Sequence, residues 1–278
     1  MDATTGQFET PVTRRAFLGG ALAASAATFA ALSGCSQGQS SDTQKEQVVF
    51  CLEDTFDSYS AGIFLAAQSE GLFSEDVELS FVTPDEGADV LETVNAGHAD
   101  LGISSQEALA LAFAVDEPAS VAAVAAVVQH DITDRVAPAT ARTADFVSRD
   151  SYAVVLIAND AFLVNREDIA TSTVGAFAKA YKLIASHPKK EVEPVCAQCR
   201  EHGIEVDEKK LRGDLRKLAP YLLDEEGEWG SIDQSRWDGF FAWLFKTHRI
   251  DRKIPAHHGY ILDYLDATLD SSGKKKSK

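Results

Sequence analysis

Between Ser58 and Ser105 the pattern of apolar and polar positions switches repeatedly between two periods. The segments SYSAGIFLAAQSEGLF and GADVLETVNAG carry apolar residues at helical spacing, whereas DVELSFV and HADLGISS carry them at strand spacing. Gly71 and Gly97 stand where each helix needs a left-handed C-cap, and a strand-like run follows within a few residues. The stretch thus predicts helix, strand, helix, strand, an open α/β unit. Such sheets bind ligands beyond the carboxyl ends of their strands. Here the second strand ends in Ser104 and Ser105, just ahead of a further helical run, so hydroxyls and backbone N–H groups gather at that edge.

The flanking pattern extends the unit. QVVFCL, residues 47 to 52, is a short run of β-formers and reads as the first strand, with Cys51 a small buried hydrophobe. The loop EDTFDSYS follows, with Ser58 or Ser60 as N-cap of the opening helix. In a βα loop these residues face the ligand crevice. Asp54 or Asp57 would accept hydrogen bonds from an amine or amidine, and Phe56 or Tyr59 would stack on a ring. Equally, one aspartate would serve only as a cap and one aromatic only as packing. The alternation Val77, Leu79, Phe81 against Glu78 and Ser80 leaves one polar face and places that strand near a sheet edge. Val90, Leu91 and Val94 share a helix face, Gln106 to Val115 forms the helix behind Ser105, and His98 meets solvent or the helix carbonyls. VAAVAAVV, residues 121 to 128, is uniformly apolar and is read as a buried parallel strand. It ends in Gln129 and His130, which either line the ligand edge or begin a loop.

The second half is more helical. YAVVLIA from Tyr152 predicts another strand, and Thr171 to His187 a helix with Val174, Phe177, Ala178, Tyr181 and Ile184 on one face. Cys196 and Cys199 form a CxxC on a helical stretch. No second CxxC and no histidine pair at ligand spacing accompanies it, so two ordinary thiols or a local disulfide are preferred to half a zinc site. A helix is expected over Asp207 to Leu223, an aromatic stripe from Trp237 to Phe245 is read as core, and a last helix runs from Tyr260 to Leu269. The adjacent His257 and His258 project in different directions, so no metal pair is expected there.

Composition changes the picture mainly through charge. The 278 residues are 45% apolar, ordinary for a globular core, and the formal charge of −17 opposes binding to a phosphate backbone. It favours neutral or cationic ligands. The basic KKKSK run, within residues 271–278, reads as a disordered, solvated tail.

At the N-terminus, Thr13-Arg14-Arg15-Ala16-Phe17-Leu18 resembles the twin-arginine export signal. The alanine-rich stretch from Ala16 to Leu32 has the length of a signal-peptide apolar region and is weak as a membrane span. It ends in Leu32-Ser33-Gly34-Cys35, which resembles the bacterial lipoprotein processing box. That resemblance implies a signal peptide over residues 1–34 and a lipid on the Cys35 thiol. Residues 35–46 then form a flexible tether, and the protein sits on the outer face of the bacterial cytoplasmic membrane or in the periplasm.

The SEGLF turn, the strand VELSF, the segment from Ala96 to Ser104 (AGHADLGIS) and the strand ending VVQH together resemble the periplasmic substrate-binding proteins of ABC importers. The likeness is to the branch that includes thiamine-pyrimidine-precursor and alkanesulfonate binders. It implies an α/β fold of the type II periplasmic-binding-protein kind, with a first lobe over residues 47–130. It also implies a returning strand with helical C-terminal part over 152–270. The segment DITDRVAPATARTADFVSRD departs from the family, because its polar run with Pro138 is too short for a second lobe; residues 131–151 are expected to be a shortened crossover. Glu228-Trp229-Gly230 with Trp237 resembles a late family segment, and Trp229 is the aromatic expected to reach a ligand.

The resemblance implies capture of a small organic nutrient, favouring a ring compound like the thiamine-pyrimidine precursor. Asp54, Asp57, Tyr59, Ser60, Ser104, Ser105, Gln106, Gln129, His130 and Trp229 would be the binding residues. No cofactor, metal or nucleic acid is expected; the partners are the ligand, the permease subunits and the membrane through its lipid. Two other functions stay open. One is a degenerate or truncated binding protein kept as an interaction module. The other is a pyrimidine-synthase-like enzyme, although the cysteine-rich motif of those enzymes is not matched.

Overall fold

The computed structural model describes residues 45–53, 55–68, 72–73, 77–129 and 151–271. The expected signal peptide, Cys35, Asp54, Gly71, His130, residues 131–150 and the basic run lie outside the described residues.

Five strands, β1 (Glu46–Cys51), β2 (Val77–Val82), β3 (Leu101–Ser104), β4 (Val121–Ala126) and β5 (Val155–Asn159), form one sheet in the order β2-β1-β3-β5-β4. β1 pairs in parallel with β2 and β3, and β5 runs antiparallel to both β3 and β4. β2 lies at an edge, as its polar alternation predicts. β4 corrects the expectation of a parallel ladder. It points the same way as β1 to β3, but the returning β5 is inserted between β3 and β4, so its partner is antiparallel. A uniformly apolar run reports burial of both faces and is blind to the partner's direction. The outer side of β4 is closed by bridges from Ala123 to Tyr260 and from Ala126 to Gly230, which remove an open edge.

Alternate strand residues feed two cores, one on each face of the sheet. Phe50, Leu101, Val124 and Leu156 meet α1 (Ala61–Gln68), α5 (Glu167–Ser186), α6 (Val192–Glu201) and α7 (Glu208–Leu218). Cys51, Ala123 and Val155 meet α2 (Val90–Asn95), α3 (Gln106–Phe113) and α8 (Gln234–Lys246). Short α4 (Asp160–Asn165) follows β5, and α9 (Asp263–Ser271) packs on α5. No described helix is long and apolar enough to cross a membrane.

The stripe expected along α5 is buried at every position from Val174 to Ile184 that the period selects. Its Tyr181 is held on three sides. The ring stacks on Trp229 at 4.7 Å with the planes 6° apart, its hydroxyl donates to the Tyr59 carbonyl, and its face lies on Gly62. A Cβ at position 62 would sit 2.5 Å from that ring. Because the ring has no room to withdraw, Gly62→Ala should lower stability by about 1–3 kcal/mol through overpacking. Gly213→Ala, at a helical position with nothing within 4 Å, should be neutral or stabilising. Thermal denaturation of the two variants beside the parent checks this.

Candidate functional site

The carboxyl ends of β1, β3 and β4 share one edge of the sheet, because Cys51 pairs with Gly102, Ser104 with Val155, and Val155 with Ala126. The loops that follow them therefore come together, with the start of β5 among them. This edge gathers Asp57, Tyr59, Ser60, Ser104, Ser105, Gln106 and Gln129 beyond the carboxyl ends of the strands.

Most of these side chains are already engaged by the protein. Asp57, and neither Ser58 nor Ser60, is the N-cap of the 3-10 turn Ser58–Ser60. Its Oδ1 accepts from the N–H groups of Tyr59 at 2.7 Å and Ser60 at 2.9 Å, and from the Ser60 hydroxyl at 3.3 Å. An aspartate serves two N–H groups with one oxygen, so of the serine and aspartate caps that the sequence leaves open the aspartate is the one used. Tyr59 is core, 2% exposed. Ser105 caps α3 by accepting from the Ala108 N–H at 3.0 Å, and Ser104 is half-buried at the end of β3. Gln106 is fully buried: its Nε2 donates to the Trp237 carbonyl at 3.0 Å and its Oε1 accepts from the Tyr152 N–H at 2.9 Å. Gln129 donates to the Ser231 carbonyl at 3.1 Å.

Trp229 differs from its expected role. It is 0% exposed, stacked on Tyr181, and its Nε1 donates to the Val127 carbonyl at 3.2 Å. The indole therefore ties the end of β4 into the core and presents no face to the edge. Arg236 acts similarly nearby. Its guanidinium lies 4.0 Å over the Tyr152 ring and donates to the carbonyls of Gln129 at 2.5 Å and Ser151 at 2.9 Å.

Open space lies beside the loop after β1. A cavity of about 200 Å³ is bounded by Phe56 and Ser58 on one side, by Glu205, Val206 and Asp207 from the α6–α7 loop, and by Lys210, Leu211 and Asp214 of α7. A wider depression of about 730 Å³ adjoins it across the same Glu205–Asp207 loop. Sequence reasoning singled out Phe56 but passed over positions 205 to 214. Gly203 and Asp207 do mark a loop and an N-cap, yet no spacing signal could bring that loop to residue 56.

Electrostatics single out Asp57 in this region. Burial raises Asp57 to about 6 and the nearby charge of Glu53 adds to this, against the hydrogen bonds from Ser60 and Tyr59 that lower it. Burial, and then the charge of Asp57, hold the Tyr181 phenol un-ionised. Away from this edge, Cys196 and Cys199 are free, buried thiols; burial first, then neighbouring charge, raises both, Cys199 to about 12. Among the described residues no three His, Cys, Asp or Glu side chains gather closely enough to hold a metal ion.

Residues 57–147 match the family model described as NMT1/THI5 like, about a third of the chain. No curated protein sequence matches. Among solved structures, the ligand-binding component of an ABC-type import system from Staphylococcus aureus, with zinc bound, is 13% identical, with a TM-score of 0.52 over 78% of this chain and 96% of that one. The alkanesulfonate-binding protein SsuA from Xanthomonas axonopodis pv. citri, bound to MOPS, is 10% identical, with a TM-score of 0.51 over 78% and 99%. The desulfurization enzyme DSZB is 10% identical, with a TM-score of 0.50 over 82% and 100%. The fold is thus that of the periplasmic-binding-protein-like structures, a mixed α/β architecture as expected from the sequence.

Asp57 generates a pH prediction. Its folded value near 6 lies above the ordinary 3.8, so between about pH 4 and pH 6 the folded chain holds a proton that the unfolded chain releases. Its burden on stability is full above pH 6 and is relieved as the pH falls towards 4. Asp57→Asn keeps a cap acceptor without the charge. Relative to the parent it should gain about 2 kcal/mol at pH 8, and about nothing at pH 4. Denaturant titrations at the two pH values check it.

Proposed function

We propose that this chain is the extracytoplasmic solute-binding component of an ABC importer, anchored through a lipid on Cys35 and capturing a small organic nutrient. A ring compound like the thiamine-pyrimidine precursor is the favoured class. One observation carries the reading: the loops after β1, β3 and β4 converge on one edge of a periplasmic-binding-protein-like sheet, with an acidic cavity opening beside the first of them. The match of residues 57–147 to the NMT1/THI5-like family supports the same assignment.

Within this reading the function is capture and delivery. The formal charge of −17 and the carboxylates around the cavity favour a neutral or cationic solute over a sulfonate. The organisation we propose is one α/β lobe over residues 47–130, a crossover over 131–151 in place of a full second lobe, and a returning helical part over 152–270. The single described sheet supports it. The chain is proposed not to be an enzyme. DSZB shares the fold, so the fold is neutral on this point, but the raised CxxC thiols are poor nucleophiles at neutral pH.

A second reading, an interaction module derived from a binding protein, is favoured by the engagement of Ser105, Gln106, Gln129 and Trp229 in purely internal bonds.

A thermal-shift panel of aminopyrimidines, amines, flavins, amino acids and sulfonates separates the readings. A binding protein should gain several degrees at ligand concentrations a hundredfold above Kd, by mass action, with aminopyrimidines or amines leading. No response to any class selects the interaction module. Mass-spectrometric detection of turned-over ligand would overturn the transport reading.

A further inference from the structure

We infer that the cavity between the Ser58–Ser60 turn and α7 is a binding site for a small organic cation, a protonated amine or amidine carried on one flat apolar ring. The inference deepens the solute-binding reading and rests on it for its biological role, whereas occupancy of the site is a separate physical claim.

Three observations converge. The first concerns a hydroxyl. Ser58 lines the cavity at 6% exposure, and its hydroxyl has no hydrogen-bond partner among the described residues. Its neighbours behave otherwise, since Ser60 donates to Asp57 and the Ser58 carbonyl receives the Ala61 N–H. The residue is more than nine-tenths buried and its hydroxyl opens onto the cavity, so a polar group entering there can bond to it without displacing a protein partner.

The second is the balance of charge. Three carboxylates, Glu205, Asp207 and Asp214, surround the cavity with a single ammonium, Lys210. That ammonium is committed to Asp214 at 3.1 Å, and Asp214 is also met by Lys217 at 3.8 Å. Asp207 is committed too. As N-cap of α7 it accepts the Lys210 N–H at 2.9 Å, so the positive end of that helix is already answered and is not left for an anion. Glu205 is the remaining charge, an exposed carboxylate at the rim that makes no bond or ion pair to a described residue. A cation is therefore the complement of the site.

The third is size and surface. About 200 Å³ lies below the range for drug-sized ligands and somewhat above the roughly 150 Å³ that encloses a benzene ring. Phe56, Val206 and Leu211 supply the apolar contact for such a ring, and a cation over Phe56 gains further from the ring's quadrupole.

The test uses the full-length chain in mild detergent, titrated calorimetrically with benzamidine and, separately, with benzenesulfonate, a ring of the same size and opposite charge. Benzamidine should bind with a Kd on the order of 0.1–1 mM, and benzenesulfonate at least about tenfold more weakly. Glu205→Gln should weaken benzamidine about fivefold or more, and Ser58→Ala about threefold, with melting temperatures unchanged for the exposed Glu205 site. Asp116→Asn, whose carboxylate pairs with Arg252 elsewhere on the surface, should leave the affinity as it was. The inference is overturned if benzamidine does not bind, if the two rings bind alike, or if Glu205→Gln has no effect. A nutrient from the thermal-shift panel that binds indifferently to Glu205→Gln would overturn this site while leaving the solute-binding reading intact.

Discussion

The backbone carbonyls at the carboxyl edge of the sheet set the terms for the rest of the molecule. Where β1 and β4 end, the chain turns away from the ladder while still inside the protein, and a buried carbonyl without a donor costs about 1–3 kcal/mol. Side chains from the C-terminal half supply the donors. Tyr181 serves the carbonyl of Tyr59, Trp229 that of Val127, and Arg236 those of Gln129 and Ser151. Tyr181 and Trp229 also stack on each other, so the loops after β1 and β4 are joined through one aromatic pair.

This arrangement explains why the strand-end edge looks like a ligand crevice in sequence and behaves as a tied-off seam in space. Gln106 and Gln129 reach main-chain groups of the C-terminal part, and Ser105 and Asp57 cap the turns they precede. Polar groups in such positions hold loops as effectively as they hold solutes. The space proposed for a solute lies to one side, where Phe56 and Ser58 face the loop between α6 and α7. Among the described residues the opposing surface comes from later in the chain.

The legible part of the fold was the part written in local periodicity. The alternation in VELSF announced an edge strand, the apolar run from Val121 announced burial, and the spacing from Val174 to Ile184 announced the face of α5. The direction of β4's partner was not legible, because β5 enters the sheet from thirty residues away and leaves no mark on β4's own pattern. The same limit governed the site. Residues 57 to 60 and 104 to 106 could be placed at the carboxyl edge because they follow strands, but the choice of Asp57 over Ser58 as cap depends on turn geometry. Trp229 was read as a reaching aromatic from its neighbours in sequence, while its place is fixed by Tyr181, some fifty residues earlier. Glu205, Lys210 and Asp214 read as an ordinary solvated loop and helix, and only the packing of α7 on the Ser58–Ser60 turn gives them a cavity to line.

The central claim is that a solute is held between the loop after β1 and the α6–α7 region. Hydrogen exchange followed by mass spectrometry, with and without a bound solute, tests it most directly because it reports on both sides at once. The account predicts slowed exchange in peptides covering residues 55–60 and in those covering 203–214, together and with the same dose dependence. Protection confined to other segments, or to residues 55–60 without 203–214, would contradict it.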